Sequence, residues 1–223
     1  MSAHSINNIS LTGNQTRRMA LSDQPNVLGE IYEDDVNIAI WQNSMSSSML
    51  IQADEVIKQN ETLNLVIAAT PSDVHAQLKH VNELANQSEL CSHIQILVDM
   101  FCTLFELKRA GLRLAILEKA MCPKFHVDRI PCRLVTTFSG PATEWLSAQH
   151  VDYSKLGKAS FGLTDDQSGI YQLDQDIQKM NVGDVSLLKG TGWQNNEHTG
   201  LVHRSPAQLN NERRLVMTLD FID

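Results

Sequence analysis

The sequence predicts an α+β protein in which a helical layer from the first half of the chain packs on an antiparallel jelly roll built from the second half. Three observations support this. Apolar residues recur at helical spacing between Val74 and Phe105, which marks helices with one buried face. From Leu112 onward, short runs of β-branched and aliphatic residues are separated by Gly, Pro, Asn and Asp, the punctuation of a many-stranded β-structure. Helices first and strands afterwards favour segregated layers over alternating βαβ units.

Taken in order, residues 1–30 are rich in Ser, Asn, Gln and Thr and read as a loose tail. Residues 31–111 form the mixed helical layer and residues 112–223 the jelly-roll core. Within the layer, Val36 to Trp41 and Leu63 to Ala68 have strand composition, with a helix over Met49 to Lys58 between them. Thr70-Pro-Ser-Asp73 offers capping chemistry to a helix carrying Val74, Leu78, Val81 and Leu84. A further helix starts near Ser92, buries Ile94, Leu97, Val98, Phe101 and Phe105, and is expected to stop at Gly111. The predicted core strands include Leu112–Leu117, Arg133–Phe138, Gly183–Leu188 and Arg214–Phe221.

The formal charge of -8 over 223 residues argues against nucleic acid or an anionic membrane surface as partner, since both require clustered Lys and Arg. No apolar run approaches the roughly 18 residues of a membrane span. Arg17-Arg18 lacks the apolar segment of an export signal, because Ser22 to Asn26 follow where that segment belongs. Four scattered cysteines do not make a disulfide framework in a chain of this length and fit reduced thiols in a cytoplasmic protein.

The stretch Lys124-Phe-His-Val-Asp128 carries the most chemistry. In an extended strand residues two apart share a face, so His126 and Asp128 can converge on one metal ion. His203 is the best third ligand, with His198 the weaker competitor. Two His and one carboxylate form the facial set that leaves coordination positions open on non-haem Fe(II). A thiolate from Cys122 or Cys132, which flank the stretch, would instead suit zinc, although unpaired cysteines are commonly small buried hydrophobes. His75 and His80 are five apart and diverge around a helix axis. Glu144, Trp145 and Trp193 are candidates for the mouth of the roll or for plain packing.

The order His-x-Asp, Gly183-Asp184, His203 and then Arg214 resembles the double-stranded β-helix of Fe(II)- and 2-oxoglutarate-dependent dioxygenases. The resemblance implies Fe(II) on His126, Asp128 and His203, with Arg214 pairing the far carboxylate of 2-oxoglutarate. Arg213 is the rival; alternation that puts Arg214, Val216 and Thr218 on one face favours Arg214. Longer motifs, C-P-K-F-H-V-D over 122–128, R-L-V-T-T-F-S-G-P-A-T-E-W-L over 133–146, G-D-V-S-L-L-K-G over 183–190 and G-L-V-H-R-S-P over 200–206, are similar to an uncharacterised proteobacterial family of unknown function. Genes of that family lie beside metal-chaperone GTPases of the zinc-starvation response. This second resemblance implies, as an alternative, a Zn(II)-binding protein of zinc homeostasis without turnover and a metallochaperone GTPase as partner.

Overall fold

Strand alternation sets the two sides of the molecule. In the computed structural model, which describes residues 17–59, 62–207 and 212–222, the strands in chain order are β1 (Arg18–Ser22), β2 (Val36–Trp41), β3 (Asn64–Ala69), β4 (Ala110–Leu117) and β5 (Cys132–Ser139). They continue with β6 (Glu144–Leu146), β7 (Ile177–Lys179), β8 (Val185–Lys189), β9 (Val202–Arg204) and β10 (Arg214–Phe221). A seven-stranded sheet runs β1-β2-β8-β5-β10-β4-β3, and a three-stranded sheet runs β7-β6-β9. β1 lies parallel to β2, and every other pairing is antiparallel.

Along β10, Leu215, Met217 and Leu219 join the core beneath the helices, together with Leu112 and Leu114 of β4 and Leu134 and Phe138 of β5. The period of two turns Val216 to the opposite face, where it packs with Val135, Leu188 and Trp145 of the small sheet. Helices α1 (Ser47–Gln59), α2 (Val74–Lys79) and α3 (Ser88–Leu104) belong to the first of these sides. Ala53 and Val56 of α1 and the stripe Ile94, Leu97, Val98 and Phe101 of α3 are buried there. No helix among the described residues is long and apolar enough to cross a membrane.

The mixed α and β content, with one large sheet, agrees with the sequence expectation, and β2 and β10 have the predicted limits. The large sheet takes β2 and β3 from the mixed layer, at the two stretches with strand composition, and β1 from within the expected tail. The loose tail expected over 1–30 lies partly outside the described residues, at 1–16; from Arg18 onward the chain forms β1 and then a 3-10 helix, Pro25–Tyr32, that buries Val27, Leu28 and Ile31.

The α3 helix also ends earlier than Gly111, which lies inside β4. Its closure is a Schellman motif with an acidic residue in the left-handed position. Glu106 has φ 55°, its N–H donates to Thr103 O at 3.4 Å, and Leu107 N–H donates to Cys102 O at 2.8 Å. The α2 helix is shorter than its apolar spacing suggests, and Leu84, though fully buried, comes after its end. The expected capping at 70–73 is present, with Asp73 Oδ1 accepting from Thr70 N–H at 2.9 Å and Thr70 Oγ1 from Asp73 N–H at 3.3 Å.

One core residue titrates in a useful range. His93 on α3 is 3% exposed, lies 3.2 Å from Ser44 Oγ through Nε2 and stands edge-on to Phe138. Burial lowers its pKa to about 4. Below about pH 6.5 the unfolded chain takes up a proton that the fold refuses. This contribution to stability is therefore complete above pH 6.5 and declines as pH falls toward 4. Thermal melts across that range should show a falling midpoint, and His93→Gln should make the decline shallower; equal slopes would contradict the assignment.

Candidate metal centre

The two halves of the site meet through one backbone pairing. His126 is not in a regular strand, contrary to the extended strand expected over 124–128; it forms an isolated antiparallel bridge with His203 of β9. Each residue donates its N–H to the other's carbonyl at 3.0 Å. Such a reciprocal pair sets the two side chains opposite one another, and the imidazole centroids are 4.5 Å apart.

The local chain also fixes the tautomers. His126 Nδ1 lies 2.9 Å from Lys124 O and His203 Nδ1 lies 3.2 Å from Leu201 O. A carbonyl only accepts, so each Nδ1 carries the proton and each Nε2 presents a lone pair. His203 Nε2 is 3.6 Å from Asp128 Oδ2, and His126 Nε2 is 3.8 Å from Asp128 Oδ1. Burial holds His203 neutral by lowering its pKa to about 4, so the His203–Asp128 pair is not an ion pair at neutral pH. One ligand atom from each of the three residues falls within 4.8 Å of the others. Two donors each about 2.1 Å from a shared ion stand roughly 3–3.6 Å apart, close to the spacing found here. Three electron-pair donors facing one point with no proton between them are arranged to hold a cation.

Asp128 is held at both its side chain and its main chain. Arg133 on β5 donates from Nη1 to Asp128 Oδ2 at 2.9 Å, while Nε and Nη2 engage Asp220 of β10 at 2.8 and 2.9 Å. From below, Thr191 N–H donates to Asp128 O at 2.8 Å. Gly190 and Gly192 allow that approach, because a Cβ on Gly190 would run into Ile130 O and stand 2.7 Å from Asp128 O. The flanks of the two histidines are tied together as well. Arg204 bonds Glu144 Oε2 at 2.8 Å and Asp165 Oδ2 at 2.9 Å and lies over the Phe125 ring, while Asp165 Oδ2 accepts from Phe125 N–H at 2.9 Å.

His126 and His203 open onto a narrow cleft of about 50 Å³ whose walls include Val135, Leu188, Val216 and Arg214. Arg214 is 3% exposed. Its Nη2 donates to Thr137 Oγ1 at 3.0 Å and Thr143 Oγ1 at 2.7 Å, and its Nε is buried with no hydrogen-bond partner. No carboxylate among the described residues forms an ion pair with it, and burial lowers its pKa to about 10. The rival Arg213 does not line the cleft.

Other expected site residues are placed elsewhere. Cys132 is fully buried in the core beneath the helices, where desolvation pushes its thiol pKa far up. Cys122 is exposed at the rim of the cleft, outside the three-residue cluster. His198 is exposed in a turn, and His75 and His80 lie on α2 and at its C-cap. Trp145 is buried against Val135 and Val216, Trp193 packs on Tyr32 and Phe105, and Glu144 is ion-paired with Arg204 and Lys179. None of these three lines the cleft. Arg133, Arg204 and the two threonines beside Arg214 were not assigned from sequence; apart from the Arg133–Asp128 pair, which bridges an irregular stretch, their partners are remote in the chain and leave no local spacing.

A family model described as "Protein of unknown function (DUF1826)" matches residues 22–220. No curated protein is significantly similar in sequence to the chain. Among solved structures, the dioxygenase for auxin oxidation from rice is 11% identical with a TM-score of 0.47, over 83% of this chain and 73% of that one. The dioxygenase for auxin oxidation 1 from Arabidopsis thaliana, in its 2-oxoglutarate complex, is 9% identical with a TM-score of 0.48, over 93% and 92%. HygX from Streptomyces hygroscopicus with iron bound is 12% identical with a TM-score of 0.45, over 88% and 85%.

The contact beneath Asp128 is open to direct test. Gly190→Ala should lower stability in urea by about 1–3 kcal/mol, the usual range for an overpacked site. An unchanged midpoint would show that the two segments are not pressed together.

Proposed function

The chain belongs to the DUF1826 family, whose description carries no activity, and we propose that it is a non-haem Fe(II)- and 2-oxoglutarate-dependent oxygenase with a double-stranded β-helix core. The observation that carries this reading is a His-Asp-His donor cluster whose two histidines share a cleft with a buried guanidinium that forms no ion pair among the described residues. The donor set suits Fe(II), since two neutral imidazoles and one carboxylate leave open positions. The guanidinium suits the far end of a dicarboxylate, because a buried cation is strongly disfavoured until a counter-charge meets it.

In this reading His126, Asp128 and His203 hold the metal. When bound, Fe(II) and 2-oxoglutarate supply the oxidising chemistry with O₂, while the protein binds, orients and shields. Arg214 anchors the cosubstrate with Thr143 and Thr137 fixing its fork. Arg133 keeps Asp128 oriented, the supporting role that outer partners play for metal ligands. Val135, Leu188 and Val216 line the cleft with apolar surface and limit water at the reacting centre.

Anaerobic titration of metal-free protein with Fe(II) and then 2-oxoglutarate should give the visible charge-transfer band of a chelated keto acid. His126→Ala and His203→Ala should abolish stoichiometric metal binding. Arg214→Met should keep the metal and weaken 2-oxoglutarate at least about tenfold, the loss expected for one charge-assisted interaction. Unchanged metal content in both histidine variants would sink the proposal, as would full 2-oxoglutarate affinity in Arg214→Met.

A further inference from the structure

A second cluster of buried positive charge lies away from the cleft. The alternation along β8 turns Leu188 toward the cleft, while Val185 and Leu187 face the helical side; Lys189 shares the parity of the latter pair. The Lys189 side chain is 1% exposed. Its ammonium donates to Glu33 O at 3.0 Å and sits 4.8 Å from the centroid of the Trp193 ring. Beside it Arg17, 9% exposed, donates from Nε and Nη2 to Thr199 Oγ1 at 3.0 and 2.8 Å, from Nη2 to Asn195 O at 3.2 Å, and from Nη1 to Asp34 O.

Every one of those acceptors is neutral. Among the described residues no carboxylate forms an ion pair with either cation. Residues 1–16, which precede Arg17, contain no Asp or Glu. Asp34 borders the pocket but is exposed to solvent. Burial first, and the neighbouring Arg17 second, lower the Lys189 pKa to about 8, so the attraction of Asp34 and Asp35 does not offset desolvation. Buried charges in folded proteins are normally paired. Two of them side by side, without an ion-pair partner among the described residues, are arranged to receive the counter-charge of a ligand.

The space for it is present. Arg17 and Lys189 face a pocket of about 240 Å³, whose other walls are Asp34, Trp193, Gln194, Asn195 and Asn196. The wall is rigidly made, since Asn196 is 1% exposed, donates from Nδ2 to Gly190 O at 2.9 Å and accepts from Thr199 Oγ1 at 2.8 Å. We propose that Arg17 and Lys189 form a second binding site, for a small oxyanion of the carboxylate or phosphate type, held by the Lys189 ammonium and the adjacent guanidinium charge. The site is independent of the metal reading, because no residue of the cleft takes part in it.

The test uses the full metal-free chain carrying Arg214→Met, which removes the cleft arginine, and titrates it separately with inorganic phosphate and with acetate in a chloride-free buffer. Isothermal titration and melting temperature are the readouts. The expected result is saturable one-to-one binding of one anion with a rise in melting temperature, and whichever anion binds identifies the source. Lys189→Met and Arg17→Gln should each weaken that binding at least tenfold; Arg17→Gln decides the matter if Lys189→Met does not fold by circular dichroism. Absence of saturable binding by both anions, or binding that survives the substitutions, overturns the proposal.

Discussion

Everything at the cleft depends on the two hydrogen bonds exchanged between the backbones of His126 and His203. They join a segment that is otherwise irregular to a three-residue strand, and neither piece has enough ladder of its own to fix a side chain. The pairing works because both flanks are anchored independently, by Arg204 and Asp165 around Phe125 and by the tight pair of glycines beneath Asp128. The imidazoles are thus positioned by main-chain geometry and oriented by main-chain carbonyls. Side-chain freedom has little part in the arrangement.

Three arginines near the donor cluster show how charge is distributed. Arg133 and Arg204 are each shared between two carboxylates, and these networks are structural. Among the described residues Arg214 bonds to hydroxyls and to no carboxylate. All three line the cleft, so the same side chain in the same place occurs both neutralised and bare. That contrast is more informative than burial alone, since an arginine kept for packing could have been satisfied as its neighbours are.

Much of this was legible in the sequence. β2 and β10 were marked by β-branched and aliphatic content and α3 by its apolar stripe, because these signals are local. His126, Asp128 and His203 stood out through residue type, and Arg214 through its place in an alternating strand. What escaped notice was non-local or chemically unorthodox. The end of α3 was hidden because Glu106 occupies a left-handed position where Gly is the usual signal. β1 was hidden in a polar stretch, since its pairing with β2 compensates for weak propensity. Lys124–Asp128 reads as a strand but has only one bridging partner. Lys189 was passed over because a lysine at a strand end is ordinarily a surface residue, and only its burial beneath Trp193 sets it apart.

The large sheet is assembled from distant parts of the chain: β2 beside β8, and β10 between β4 and β5. Loop closure of that length is entropically costly before any contact rewards it, and folding slows accordingly. The donor cluster is likewise drawn from distant segments, so its three side chains come together only once His126 and His203 have paired.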